Sequence, residues 1–261
     1  MKEAVLILIP LLPLIGAVIN GLLALGGARS PLGPNRGIVA AIAVAGPALA
    51  FVCTLILFSG MGTSVPIGNV MPPGWADSAA MTQKAMDVGG SSQPITATLW
   101  QWIGGGVNLS LGLVFDQLSG LMLLFVTGIG ALITLYATGY MAHDRGYARF
   151  LSYFNLFLSA MIVLVAGDSL IATFLGWEGV GLCSYLLIGF WHRNDAYNLA
   201  AKKAFVMNRI GDLGFLLGAF LLFQITGHFD YAGISQWFGH GNSDIAGQQG
   251  TLYAACLLLF L

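Results

Sequence analysis

Glu178 is the residue in this sequence that most requires a chemical explanation. It lies in the apolar run Leu170–Phe190, 8 residues from one end and 12 from the other, which at helical rise is ~12 Å and ~18 Å from the two ends. A carboxylate at that depth in a membrane costs roughly 2.5–3.5 kcal/mol on insertion scales. A carboxyl that alternates between charged and neutral forms accepts and donates protons. The alternative is a protonated glutamate that only hydrogen-bonds to a neighbouring helix.

A second group of charges lies on the next apolar segment. Arg209 and Asp212 are spaced i, i+3, so they share a helix face and can pair. Inside a bilayer such a pair can be purely structural, because mutual neutralisation lowers the cost of insertion. Lys202 and Lys203 stand near one end of this segment, where lysine side chains commonly extend along the helix to reach water.

Three glycines surround Glu178. Gly176, Gly179 and Gly181 remove side chains from the helix surface on either side of the carboxyl. The sequence leaves two interpretations open, namely close approach of a neighbouring helix or room for water.

The composition places these charges in a membrane protein. Of 261 residues, 57% are apolar and 8% are charged, and the mean hydropathy is +0.83, whereas an ordinary soluble domain is roughly 25% charged. This excludes a soluble fold and a disordered chain. The net charge of -1 gives no indication of nucleic-acid binding.

Hydropathy predicts an all-α, polytopic bundle of transmembrane helices with six complete spans and the start of a truncated seventh. A crossing needs about 20 apolar residues. The predicted spans are Ala4–Leu25, Ile38–Phe58, Gly112–Tyr136, Phe150–Ala166, Leu170–Phe190 and Ala204–Ile225. A further apolar run begins near Thr251 and continues to Leu261, so we expect an N-terminal fragment of a longer chain.

These spans divide the chain into four parts. Residues 1–58 form two N-terminal helices, 59–111 an extramembrane loop, 112–225 the helices that carry the charges, and 226–261 a second loop with the start of the truncated helix. The alternating stretch at 107–111 predicts a short surface strand. Asp116 and Asp168 precede predicted helices and are expected to cap them.

Basic residues predict the orientation. Seven lie in loops on one side (Arg29, Arg36, Arg145, Arg149, Arg193, Lys202 and Lys203) and two, Lys2 and Lys84, on the other. The positive-inside rule therefore places the N-terminus and the long loop outside.

Nothing in the sequence predicts a cofactor or metal site in this chain. Cys53, Cys183 and Cys256 lie apart in apolar runs without ligand spacing. The four histidines lie in connecting loops, which does not suit a haem pair. P-loop, HExxH and GxSxG motifs are missing.

Several motifs resemble one family. The run Gly176–Phe190 (GWEGVGLCSYLLIGF) resembles the fifth helix of the antiporter-like subunits of respiratory complex I, the NADH:quinone oxidoreductase, in a family shared with Mrp-type antiporters. Further matching stretches are Phe115–Ser119, Gly146–Phe150 and Lys203–Asp212. The Trp-Glu-Gly-Val-Gly-Leu-Cys-Ser-Tyr form is closer to the subunit L branch of complex I.

The resemblance implies a proton-translocating membrane subunit of complex I. Glu178 would belong to a proton pathway, with a lysine partner beyond Leu261. Arg209 and Asp212 would lie near the half-channel and Lys203 at its inner entry. The implied partners are the lipid bilayer and other membrane subunits of complex I. The resemblance implies no cofactor in this chain, because the NADH, FMN, iron–sulfur clusters and quinone would be bound by other subunits of the complex. The implied location is the bacterial inner membrane.

Two other functions are weighed against this one. The first is an Mrp-type Na⁺(K⁺)/H⁺ antiporter subunit, and the second a purely structural membrane subunit. A retinal protein is excluded because no complete predicted span carries a lysine at mid-depth.

Overall fold

The computed structural model describes residues 2–27, 35–61, 94–103, 109–239 and 245–260. In chain order its elements are α1 (Lys2–Gly27), α2 (Arg36–Ser59), β1 (Ile95–Ile103), β2 (Leu109–Phe115), α3 (Gln117–Tyr140), α4 (Tyr147–Ala166), α5 (Leu170–Ile188), α6 (Asp195–Thr226), α7 (Tyr231–Gly239) and α8 (Ile245–Leu259). Six of them, α1 to α6, are long and apolar enough to cross a membrane. This confirms the predicted fold class, an all-α polytopic bundle, and the chain is an integral membrane protein.

Helix α4 lies at the centre of the bundle. It packs against α1 on one side and α5 on the other, α2 and α3 complete the N-terminal half, and α6 links α5 to α8. One buried cluster, which includes Leu6, Leu113 and Phe115, lies where the β-strands meet the helices. We call this the hairpin end. A second cluster, which includes Val39, Met141 and Phe190, lies at the opposite end.

The third membrane helix begins later than predicted. Strands β1 and β2 form an antiparallel hairpin with irregular register, and β2 takes up residues 112–115, which hydropathy had assigned to the span. Helix α3 starts at Gln117 behind a capping box. Ser119 N donates to Asp116 Oδ1 at 2.7 Å, and Asp116 N donates to Ser119 Oγ at 2.8 Å. The predicted cap at Asp116 is therefore confirmed.

The surface strand predicted at 107–111 corresponds in part to β2. Residues 109–111 belong to that strand, whereas 107 and 108 lie outside the described residues, as does most of the long loop, 62–93. Its partner β1 was not predicted. Apolar and polar residues alternate from Ile95 to Leu99, and the alternation is interrupted where Trp100 follows Leu99.

Helix α6 is longer than the hydropathy indicated. It begins at Asp195, nine residues before the predicted start, because Asn194 caps it by accepting a hydrogen bond from Ala196 N at 3.0 Å. It ends at Thr226 and is capped by Gly227, whose φ of 72° is the left-handed conformation that suits a glycine cap. Lys202 and Lys203 consequently lie inside the helix, in a polar extension beyond the apolar window.

Candidate functional site: a charged cluster between α5 and α6

Three ionisable side chains meet at mid-depth between α5 and α6. Nη1 of Arg209 donates a hydrogen bond to Oε1 of Glu178 and lies 3.3 Å from Oδ2 of Asp212. Glu178 is ~12 Å and ~15 Å from the two ends of α5 at helical rise. The i, i+3 pair of Arg209 and Asp212 is confirmed. We call Glu178, Arg209 and Asp212 the charged cluster.

Two aromatic side chains position the charged cluster. Nε1 of Trp177 donates a hydrogen bond of 2.8 Å to Oδ1 of Asp212. Cζ of Arg209 lies 4.5 Å from the centre of the Phe205 ring, within the range of a cation–π contact. Asp212 is therefore held by both of its carboxylate oxygens, and Arg209 has a ring beneath its guanidinium.

The charged cluster is unequally exposed. The side chain of Asp212 is 7% exposed, that of Glu178 23% and that of Arg209 41%. Two carboxylates share one guanidinium, so the cluster has one negative charge in excess when all three groups are ionised. Arg209 lies on a face of α6 whose other residues, Val206 and Leu213 among them, are also exposed. Any lipid or protein group that covers this face of α6 in the membrane therefore contacts the charged cluster at Arg209.

The three glycines of α5 differ in how closely the neighbouring helices approach them. A methyl group on Gly176 would overlap the backbone of Leu164, and one on Gly179 would lie 2.9 Å from Cβ of Ala160. These two glycines let α5 approach α4 closely. A methyl group on Gly181 would lie 3.8 Å from Nδ2 of Asn208 on α6, which is an ordinary van der Waals distance. Close approach of a neighbouring helix is therefore confirmed at Gly176 and Gly179, whereas room for water stays a prediction.

An apolar layer separates the charged cluster from the hairpin end. Phe174 and Phe215 stack across the α5–α6 interface, with ring centres 5.6 Å apart and an interplanar angle of 21°. Phe215 packs against a buried cluster of Leu170, Ala219 and Leu222, as do the partly buried residues Ile234, Leu252 and Leu259. Beyond it, Thr173 Oγ1 and Tyr231 OH are hydrogen-bonded at 2.7 Å. The polar groups of the hairpin end are thus cut off from the charged cluster by aromatic and aliphatic side chains.

The other side of the charged cluster is more polar. Asn208, Lys202 and Lys203 are exposed along α6, and the Tyr185 ring lies 5.4 Å from that of Phe205. Lys203 precedes Arg209 by six residues and Asp212 by nine along α6, and it forms no ion pair within the described part of the chain. The structure therefore joins Glu178, Arg209 and Asp212 but leaves Lys203 apart from them.

Asp168 links three segments at the hairpin end. Gly112 N donates to its Oδ1 at 3.1 Å, its own N–H donates to Gly112 O at 3.2 Å, and its carbonyl accepts from Tyr231 N at 3.1 Å. A side chain at position 112 would overlap the Asp168 carboxylate. Burial raises the pKa of Asp168, in opposition to the hydrogen bonds from Ser169 and Gly112.

The predicted helix cap at Asp168 is wrong. Ser169 caps α5, and its Oγ accepts from Ala172 N at 3.2 Å. Both residues lie in the short connection between α4 and α5, but the Asp168 carboxylate instead reaches the strand β2. Sequence spacing cannot show this because Gly112 is 56 residues away.

Within the described residues, no group of three or more His, Cys, Asp or Glu side chains is arranged to hold a metal ion. Cys183 is buried, Cys53 is half-buried and Cys256 is exposed, and all three are free thiols. His228 lies 3.5 Å from Asp230 near the surface of the hairpin end.

The pairing of Glu178 with Arg209 was not predicted. The resemblance supplied only a lysine outside this sequence as the partner of Glu178. Helices α5 and α6 follow each other through a short connection and so run antiparallel, which brings residue 178 beside 209 and 177 beside 212. The sequence indicates that α5 and α6 are neighbours, because only a short connection separates them. It does not show their register, which depends on the packing of Phe174 against Phe215 and of Tyr185 against Phe205.

Comparison with known proteins identifies two family models. Residues 100–151 match the model described as NADH-Ubiquinone oxidoreductase (complex I), chain 5 N-terminus. Residues 167–261 match NADH:quinone oxidoreductase/Mrp antiporter, TM. The charged cluster lies entirely within the second match.

Curated relatives bear related names. The chain is 48% identical to NADH-quinone oxidoreductase subunit L of Mycobacterium tuberculosis (strain CDC 1551 / Oshkosh) over 146 residues, which cover 56% of this chain and 23% of that protein. It is 40% identical to subunit L of Escherichia coli (strain K12) over 189 residues, 71% of this chain and 30% of that protein. The matched part is thus less than a third of the length of these relatives.

A solved structure has the same fold. The Mrp complex from Dietzia sp. DQ12-45-1b contains a chain that matches 97% of this one with a TM-score of 0.68 and 19% sequence identity, over 22% of its own length. At that identity the similarity concerns the arrangement of helices alone.

Proposed function

We propose, from the premise that this chain belongs to the antiporter-like family of complex I chain 5 and Mrp membrane subunits, that it translocates protons as a membrane subunit of an NADH:quinone oxidoreductase. The observation that supports this proposal is the charged cluster. A glutamate at mid-depth in the membrane shares one arginine with a second carboxylate. Such an arrangement has two alternative pairings, and a proton can accompany the change from one to the other.

Competition for Arg209 gives the mechanism. Arginine keeps its proton under all ordinary conditions, so the proton is carried by a carboxyl group. While Arg209 pairs with Glu178, the carboxylate is stabilised in its charged form. When the guanidinium moves towards Asp212, 3.3 Å away, Glu178 loses its cation and takes up a proton. The return of Arg209 releases that proton.

The two sides of the charged cluster differ in their access to water. Gly181 and the exposed polar residues of α6 lie on one side, and the Phe174–Phe215 stack lies on the other. We propose that protons reach Glu178 from the polar side, with Lys203 at its entry. The excess negative charge also makes the exposed flank of Arg209 a suitable place for a basic residue of another helix.

The partners follow from the family. Membrane subunits of the same complex would cover the exposed apolar faces of α3 and α6, and the lipid bilayer the remainder. The NADH, FMN, iron–sulfur clusters and quinone would belong to other subunits. We further propose the bacterial inner membrane as the location, with the hairpin end outside, in agreement with seven basic residues against two.

The Mrp-type antiporter subunit is the second candidate. The similarity of the helix arrangement to a chain of the Mrp complex supports it, and the second family model includes both groups. It differs in its driving force, since such a subunit exchanges Na⁺ or K⁺ for protons without NADH.

The decisive experiment uses inverted membrane vesicles that contain the assembled complex. We expect Glu178→Gln to reduce NADH-driven acidification of the vesicles, because glutamine has the same shape but cannot carry a proton. Glu178→Asp is expected to retain part of the activity. Glu3→Gln, at the exposed start of α1, is the control and should have no effect.

The outcome separates the candidates. A ratio of protons to NADH that is unchanged in Glu178→Gln vesicles would contradict the proposed role of Glu178. Proton movement that depends on a Na⁺ or K⁺ gradient and is indifferent to NADH would indicate the antiporter subunit instead. Complex assembly is checked in the same vesicles by NADH oxidation with an artificial electron acceptor.

A further inference from the structure

Two asparagines inside the bundle have no hydrogen-bond partners. Asn20 on α1 and Asn155 on α4 are both 0% exposed, and neither the amide nitrogen nor the carbonyl oxygen of either side chain has a partner. An unpaired amide in a membrane interior has lost its bonds to water without replacing them. Both asparagines therefore require an explanation.

The rest of the bundle shows that this is an exception. Buried hydroxyl groups in α2, α3 and α4 bond to backbone carbonyls. The pairs are Thr54 with Ala50, Thr127 with Leu123, Thr134 with Gly130, Ser152 with Ala17 and Ser159 with Pro10. Among the described residues, the only other buried side-chain nitrogen or oxygen without a partner is Nε of Arg149.

The two asparagines lie within one helical turn of a shared point. A methyl group on Gly16 would be 2.8 Å from Nδ2 of Asn155 and 3.3 Å from the carbonyl oxygen of Ile42 on α2. Asn20 follows Gly16 by four residues, so it shares that face of α1, and helical side chains lean towards the N-terminus, here towards Gly16. Both amides are therefore directed towards the junction of α1, α2 and α4.

A backbone acceptor lies at the same junction. Ala43 follows Ile42 and is 0% exposed. Pro47, four residues later in α2, lacks the amide hydrogen that would otherwise bond the Ala43 carbonyl. Freed carbonyls of this kind in membrane helices are satisfied by neighbouring side chains or by ordered water.

A direct bond between the two asparagines would not suffice. Each side-chain amide has two N–H donors and one carbonyl oxygen. A reciprocal pair would use one donor from each and leave the other unpaired. A water molecule, which typically makes about three hydrogen bonds in such sites, can accept from the remaining N–H groups and donate to the Ala43 carbonyl.

We propose that Asn20 and Asn155, with the backbone at Gly16 and Ala43, bind internal water at the junction of α1, α2 and α4. This site is separate from the charged cluster. Asn155 faces α1, whereas α4 presents Ala160 and Leu164, on its other side, to the glycines of α5 beside Glu178. The site joins the two proline-containing helices to α4 and does not depend on the proposed proton translocation.

Radiolytic labelling in H₂¹⁸O tests the proposal on the protein in nanodiscs. Water held at this junction generates hydroxyl radicals beside Pro13 and Pro47, both buried. We expect ¹⁸O incorporation at these prolines in the unaltered protein and its loss in the double variant Asn20→Leu/Asn155→Leu. Thr127→Val removes a buried hydroxyl elsewhere in the bundle and is the matched control, with labelling retained.

A second variant covers the case in which the double variant does not fold. Gly16→Ala keeps both asparagines but places a methyl group at the junction, and we expect it to lose the labelling as well. High-resolution density should show a solvent peak within hydrogen-bonding distance of both side chains. Unlabelled prolines in the unaltered protein, equal labelling in all variants, or two amides bonded to each other without solvent would each overturn the proposal.

Discussion

The indole nitrogen of Trp177 donates a 2.8 Å hydrogen bond to one carboxylate oxygen of Asp212, while Arg209 lies 3.3 Å from the other oxygen. Trp177 immediately precedes Glu178 in α5. A movement of the segment that carries Glu178 therefore also moves the donor that holds Asp212. The two carboxylates that share Arg209 are mechanically linked through adjacent residues of one helix.

Removal of this indole donor is expected to weaken the α5–α6 interface. Trp177→Phe keeps a ring but leaves Oδ1 of Asp212, which is 7% exposed at its side chain, without its donor. Hydrogen bonds to charged groups contribute about 1.5–3 kcal/mol, and we expect a loss of that order in thermal unfolding. Trp191→Phe, which removes an exposed 3.0 Å bond to Asp144, is the control. Equal destabilisation by both variants would contradict the role of Trp177.

The stacked rings beyond the charged cluster are expected to block protons. Phe174→Ala and Phe215→Ala remove large apolar side chains between the charged cluster and the polar groups of the hairpin end. Water can then bridge the gap, and we expect a passive proton leak in proteoliposomes under an imposed pH gradient. Phe157→Ala opens a different stacked pair, Phe154 and Phe157, and should not leak. If proteoliposomes with Phe174→Ala and with Phe215→Ala showed no proton leak, the proposed barrier would be contradicted.

The glycines of α5 should differ sharply in their tolerance of alanine. At Gly176 a methyl group overlaps the Leu164 backbone, whereas at Gly181 its nearest neighbour is 3.8 Å away. Overpacking of a buried contact costs roughly 1–3 kcal/mol. We therefore expect Gly176→Ala to lower the melting temperature and Gly181→Ala to leave it nearly unchanged. The reverse order would show that α4 and α5 are not packed as described.

The hairpin end should lose stability as the pH rises. Burial raises the pKa of Asp168, so the folded protein holds this proton more tightly than the unfolded chain. The resulting stabilisation of the folded protein is fully present when the pH is below the ordinary aspartate pKa. It is lost as the pH rises through the higher pKa that Asp168 has in the folded protein. Asp168→Asn retains an oxygen for Gly112 N, and we expect it to flatten this pH dependence of thermal unfolding. Asp195→Asn, at the exposed first turn of α6, should leave the dependence intact.

The orientation can be tested with single cysteines. After replacement of Cys53, Cys183 and Cys256, we expect Thr98→Cys in β1 to react with a membrane-impermeant maleimide on intact cells. His192→Cys, in the exposed connection between α5 and α6, should react only after the cells are permeabilised. Labelling in the opposite pattern would invert the proposed sidedness.

Hydropathy and local chemistry were enough to predict the six spans, the Asp116 cap and the pairing of Arg209 with Asp212. Each depends on residues that are close in sequence or on composition over about 20 positions. The bond between Arg209 and Glu178 and the reach of Asp168 to Gly112 depend on which helices are neighbours and in what register. One amphipathic pattern cannot encode that information, because the apolar surface of a membrane helix suits lipid and protein equally.

The start of α6 was misplaced for a related reason. A hydropathy window follows the hydrocarbon boundary, whereas the helix follows its cap at Asn194. The charges of Lys202 and Lys203 lowered the hydropathy without interrupting the helix. Predicted spans therefore describe where the chain is apolar rather than where it is helical.

The bonds of Asp168 also constrain how the protein is made. Gly112, Asp168 and Tyr231 emerge from the ribosome in that order, yet they are joined to one another by hydrogen bonds. The strand at Gly112 cannot be completed until two further helices have crossed the bilayer, and Asp168 must wait for α6 to deliver Tyr231. Closure of the hairpin end is consequently a late step of biogenesis, reached only after insertion of α6 is finished.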